Sequence, residues 1–154
     1  MATPTQQPVI AGVPAPLSRE RIEQALQRHS WSYQVDSDGD VGGIWNGNTF
    51  YFFVTGEQDE ILHIQSRWHV TLDIDQRLEA LQAIDDWHRE RLWPKAYTQV
   101  DDRGNVIIVA EHAVDWEFGL TDDQLFQTLL CAVAASLGLF DYLAQHFQID
   151  ANAI

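Results

Sequence analysis

Asp85 and His88 stand one helical turn apart, so a carboxylate and an imidazole can reach the same cation from one helix face. Further along, Glu111 and Asp115 share one face of a strand-like run in which His112 points to the other. With the neighbouring tryptophans, Asp85, His88 and Glu111 form the set from which a small-ligand- or metal-dependent activity would have to be built. The set falls short of a metal centre. Neither pair supplies three convergent ligands, the histidines (29, 63, 69, 88, 112 and 146) are scattered, and no His-Glu-x-x-His occurs.

Other reactive patterns fail on spacing. Asp36, Asp38 and Asp40 suggest calcium, but an EF-hand counted from Asp36 needs glycine where Val41 stands and glutamate where Gly47 stands. That stretch reads as a solvated Asp/Gly turn. There is no Gly-x-Ser-x-Gly nucleophile elbow. The glycines between Gly39 and Gly47 lack the lysine of a phosphate loop. Cys131 is the sole cysteine, so no internal disulfide can form, and its apolar helical setting makes it a small hydrophobe. No catalytic residue, cofactor or metal site is assigned, and the expectation is a non-enzymatic protein.

Recognition residues are better represented. In Thr49–Val54, Phe50, Phe52 and Val54 face one way while Tyr51 and Phe53 face the other. In the next strand Leu62 and Ile64 alternate with Ile61, His63, Gln65 and Arg67. One sheet face is therefore core, and the other mixes aromatics with polar groups, the composition of a protein-binding surface. The run Trp87-His88-Arg89-Glu90-Arg91-Leu92-Trp93-Pro94-Lys95 adds two indoles and several cations. Pro94 breaks the helix there, and the cations oppose the helix dipole, so a structural corner explains the run. An arginine beside an indole also suits a carboxylate or an acidic partner segment. The candidate protein-binding or dimer surface comprises Tyr51, Phe53, His63, Arg67, Trp87, Arg91 and Trp93.

The chain of 154 residues carries a net charge of −14. That balance argues against a phosphate-backbone binder and does not suit docking on anionic lipid. From Ala96 onward nine acids face Arg103 alone.

The elements that must position these residues are legible. A proline-bearing lead over 1–16 reads as disordered, with neither signal nor transit-peptide character. One domain is expected over 17–147 and a short tail over 148–154. Ser18 caps a first helix to about His29, with Leu17 and Ile22 as a staple. Strand-like runs follow at 31–35, 41–45, 49–54 and 60–67, with Asn46-Gly47 as the hairpin signal. Asp73 and Gln76 form a capping box before a helix whose apolar positions are Leu78, Leu81, Ile84 and Leu92. A hairpin over 96–101 and 105–114 comes next. Thr121, boxed with Gln124 and stapled by Leu120 and Leu125, starts a last helix to about Phe147. Its uncharged run from Leu125 to Phe140 is shorter than a membrane span needs. Being apolar nearly all round, this helix is expected to lie on the sheet with one side and meet a second subunit with the other. The order α-β-β-β-β-α-β-β-α makes the chain α+β, an antiparallel sheet flanked by helices.

Leu17-Ser18-Arg19-Glu20-Arg21, the Asp38-Gly39-Asp40 turn with Gly43, the Phe50–Phe53 strand and above all Arg89–Tyr97 resemble the YbjN domain family, in particular its actinobacterial branch. The resemblance covers about residues 17–147. That branch usually carries asparagine where this chain has His88. The resemblance implies the fold of type III secretion chaperones, often dimeric, in a cytoplasmic regulator of stress or sensory transduction. It brings no catalytic residues. The expected partners are a second copy and an unidentified protein, with no nucleic acid and no membrane.

Overall fold

In the computed structural model, residues 12–150 are described. Ser18 accepts from Arg21 N through its side chain and starts helix α1 (Arg19–Arg28), whose buried positions are Ile22, Ala25 and Leu26. Four strands follow, β1 (Gln34–Val35), β2 (Val41–Trp45), β3 (Asn48–Thr55) and β4 (Ile61–Leu72). A single 3-10 turn at Ile74–Gln76 leads into helix α2 (Arg77–Glu90). Strands β5 (Lys95–Val100) and β6 (Val106–Asp115) form a hairpin, and helix α3 (Asp122–His146) closes the fold. The sheet is antiparallel throughout, in the order β1-β2-β3-β4-β6-β5. This is the expected α+β order.

Register puts Phe50, Phe52, Leu62, Ile64, Ile108 and Ala110 on one sheet face, where all are buried in a single core with the helices. The helices form one layer over that face: α1 meets β2 and β3, α3 meets β4 and β6, and α2 meets β5. Among the described residues, the opposite face carries no helix.

Several expectations need correcting. The run from Trp31 pairs only at Gln34–Val35, because Trp31 turns instead into an aromatic cluster with Trp45 and Phe126. Strand β4 continues past Arg67 to Leu72 through a bulge between Arg67 and Thr71, which breaks the alternation that marks a strand in sequence. Buried Asn48 holds this bulge: its side chain donates to Trp45 O and Asn46 O, and its Oδ1 accepts from His69 N at 2.9 Å and from His69 Nδ1 at 3.0 Å.

The buried stripe of α2 is also different. It consists of Ala80, Ala83, Ile84 and Trp87, whereas Leu78 and Leu81 are exposed and Leu92 lies beyond the helix end. The same helical spacing runs through both sets, and small alanines with one large indole win the core side. Helix α3 is flanked by α1 and α2, which cover part of its apolar circumference, while Leu130 stays exposed. By length and composition α3 is apolar enough to cross a membrane, yet 44% of its apolar window is buried inside the domain, where Leu125, Leu129, Leu139 and Leu143 build the core.

Ala15, within the expected lead, pairs with Leu120 as an antiparallel bridge. Arg21 secures this junction, donating to Ala15 O at 2.6 Å, Leu120 O at 2.9 Å and Asp122 at 3.0 Å. Residues 1–11 of that lead and 151–154 of the tail lie outside the described residues.

Candidate functional site

The uncovered sheet face brings Tyr51, Phe53, His63 and Arg67 together. Tyr51 pairs with Gln65, Phe53 with His63 and Thr49 with Arg67, so these side chains project in adjacent rows from β3 and β4. The Tyr51 and Phe53 rings stack at 5.2 Å, and His63 tilts against Phe53 at 6.0 Å. Arg67 is exposed. All four candidates from these strands therefore share one surface, as the alternation predicts.

Glu111 organises the neighbouring rows. Its Oε1 accepts from Tyr97 at 2.6 Å and from Gln65 at 3.1 Å, with His63 Nε2 at 3.5 Å, while Lys95 Nζ stands 3.2 Å from Oε2. Burial alone would raise this carboxyl. The hydrogen bonds from Tyr97, Gln65 and Lys95 and the charge of His63 outweigh it, bringing the group to about 2. Burial and the adjacent carboxylate push the Tyr97 phenol up to about 12. The network joins β4, β5 and β6 and sets the Lys95 ammonium beside the carboxylate. Tyr97 and Lys95 escape the sequence reading because only the register of the 101–105 turn aligns them with Glu111.

Trp87, Arg91 and Trp93 occupy a different place, the corner between α2 and β5 on the helical side. Trp87 is buried, packs against Tyr142 at 5.4 Å and donates from Nε1 to Trp93 O at 3.1 Å. The Arg91 guanidinium lies 5.0 Å over the Trp87 ring. Trp93, half exposed, precedes the cis Pro94 and leans on His112 at 5.6 Å. A cleft of about 400 Å³ lined by Asp86, Trp87, Glu90, Arg91 and Tyr142 opens beside it.

Asp85, His88 and Glu111 do not converge. Asp85 pairs with Arg89 at 3.1 Å, His88 Nε2 accepts from Ala96 N at 3.1 Å, and Glu111 belongs to the opposite sheet face. The oxygens of Asp36, Asp38 and Asp40 do come within 4.8 Å of one another. There Asp36 Oδ1 accepts from Asp38 N and Asp40 N, and Asp40 pairs with Arg19 at 2.9 Å, so the cluster serves its own turn.

The architecture now has a counterpart among known proteins. The sequence pattern of YbjN, described as a "Putative bacterial sensory transduction regulator", matches residues 18–145. The chain belongs to the YbjN family. Its fold is similar to the crystal structure of YbjN from E. coli, described as "a putative transcription regulator", with a TM-score of 0.69 at 12% identity over 88% of this chain and 96% of that one. An uncharacterized protein from Methanothermobacter thermautotrophicus is similar as well, with a TM-score of 0.60 at 14% identity over 85% of this chain and 99% of that one. At such identities the likeness extends to the YbjN fold alone. No curated protein matches this chain by sequence. The YbjN family is described as one of regulators, and that description names no reaction.

Proposed function

We infer that this chain is a regulatory protein without catalysis of its own, acting in the cytoplasm in stress or sensory signalling through protein–protein contacts made by the uncovered sheet face. A second copy is its first partner there. The observation that carries this reading is the stacked Tyr51–Phe53 pair, set with His63 and Arg67 on a face that no helix covers. Aromatic and arginine side chains are enriched where protein surfaces meet. Lys95 beside Glu111 and the exposed Arg67 lessen on this side the repulsion between two copies of a −14 chain. Sedimentation of the native chain and of a Tyr51→Glu/Phe53→Glu variant at micromolar concentration tests the reading. A dimer that the variant dissociates, the variant still unfolding cooperatively, is the expected result.

A further inference from the structure

A second surface, at the end of the sheet where β4 begins and β6 ends, is independent of the open face. There the turn after β6 meets the segment that precedes α1, enclosing a cleft of about 350 Å³ lined by Asp59, Glu60, Trp116, Glu117 and Phe118, with Pro14–Leu17 along one wall. Its frame is fixed by backbone bonds. Trp116 N donates to Glu60 O at 2.8 Å, Gly119 N donates to Trp116 O at 2.8 Å, and Ala15 and Leu120 exchange two bonds of 3.0 Å. Gly119 has φ +81, and a Cβ there would meet the Ala15 backbone at 3.1 Å, so glycine is required for the two segments to cross. The cleft is therefore shaped before any ligand arrives.

What the frame leaves unused defines the ligand. The phenyl ring of Phe118 is 90% exposed and, among the described residues, stacks on no other ring. Among the described residues, the Asp59 and Glu117 carboxylates have no hydrogen-bond or ion-pair partner, whereas Glu60 already accepts from Gln58 N at 2.8 Å. Among the described residues, no basic one lines the cleft. The two arginines at this end of α1 are engaged elsewhere, Arg19 by Asp40 and Arg21 by Asp122. Two free carboxylates beside an exposed aromatic ring suit a guanidinium or ammonium that can pair with the acids and rest on the ring face. The surplus of acids after Ala96 adds a field that draws such a ligand in.

We propose that the Asp59–Glu117–Phe118 cleft docks a basic peptide segment of a partner protein, with an arginine or lysine side chain held between the two carboxylates and the phenyl ring. The open shape, with the extended Pro14–Leu17 wall alongside, accommodates a chain passing through rather than a molecule enclosed.

Calorimetric titration of the full chain with a short arginine–glycine peptide, its glutamine-for-arginine counterpart and free spermine tests this. The arginine peptide is expected to bind saturably and several-fold more weakly in high salt. Phe118→Ala should weaken it by about 2–5-fold, and Asp59→Asn/Glu117→Gln should abolish the salt dependence. These side chains are exposed, so melting temperatures should not change. The Tyr51→Glu/Phe53→Glu variant should retain native affinity for the peptide, which separates this cleft from the open face. Absence of saturable binding, equal binding of the glutamine peptide, or native affinity in the double carboxamide variant would overturn the proposal. So would spermine binding as tightly as the peptide, since that would assign the cleft to free polyamines.

Discussion

The His88 ring reaches from the last turn of α2 to the first residues of β5, where its Nε2 accepts from Ala96 N–H at 3.1 Å. Strand β5 is the sheet edge, so this N–H has no neighbouring strand on that side. The contact assigns the imidazole proton to Nδ1 and gives the helix-to-strand corner a polar fastening. His88→Ala should destabilise the fold by about 1 kcal/mol, a fall of about 2–4 °C in melting temperature. His88→Gln, which can present an acceptor at similar reach, should recover much of that loss. An unchanged melting temperature in His88→Ala would remove the fastening role.

Glu111 and Tyr97 predict two pH edges. The carboxyl lies at about 2 in the fold against an ordinary 4.5, so its contribution is present above about 4.5 and lost as pH falls towards 2. The loss is of the order of 2 kcal/mol, given the partial burial of the group. The phenol lies at about 12 against 10, so its contribution is intact below about 10 and lost as pH rises towards 12. Glu111→Gln should flatten the acid edge and shift the Tyr97 absorbance titration back towards 10. Denaturant midpoints across pH would show the first effect. Identical acid edges in both proteins would contradict the assignment.

Trp87→Ala should cost about 3–5 kcal/mol. The indole is buried against Tyr142, faces Gly138 and supplies the hydrogen bond to Trp93 O. Urea unfolding would register this as a lowered midpoint. Trp93→Ala, at a half-exposed position, should cost much less. Equal losses for the two would show that the corner buries both rings.

Asn48→Ala should destabilise by about 1–2 kcal/mol, because it removes the side-chain partner of part-buried backbone groups at the β2–β3 turn and the β4 bulge. Amide exchange at His69 should speed up more than exchange in α1. Uniform acceleration across the domain would indicate a global effect instead.

Much of this fold was legible because local chemistry and tertiary packing agree. Ser18 and Thr121 cap the helices their sequences announce, and Asn46-Gly47 makes the hairpin its type predicts. The alternation of Tyr51 and Phe53 against Phe50 and Phe52 separates the open face from the core. Sequence reading failed where two patterns shared one period. In α2 the bulky Leu78 and Leu81 outweigh Ala80 and Ala83 on any hydrophobic count, yet the alanines face inward. It failed again where a contact is long-range: Asn48 with His69, Tyr97 with Glu111, and Arg21 with Leu120 depend on register and packing. The seven candidate surface residues consequently fall into two groups, four on the open face and three at the α2–β5 corner.

The central claim is that the open face is an interface. Sedimentation equilibrium at micromolar concentration tests it most directly, comparing the native chain with Tyr51→Glu/Phe53→Glu. The account predicts a dimer for the native chain and a cooperatively folded monomer for the variant. A native chain that remains monomeric throughout that range, or a variant that stays dimeric, would contradict it.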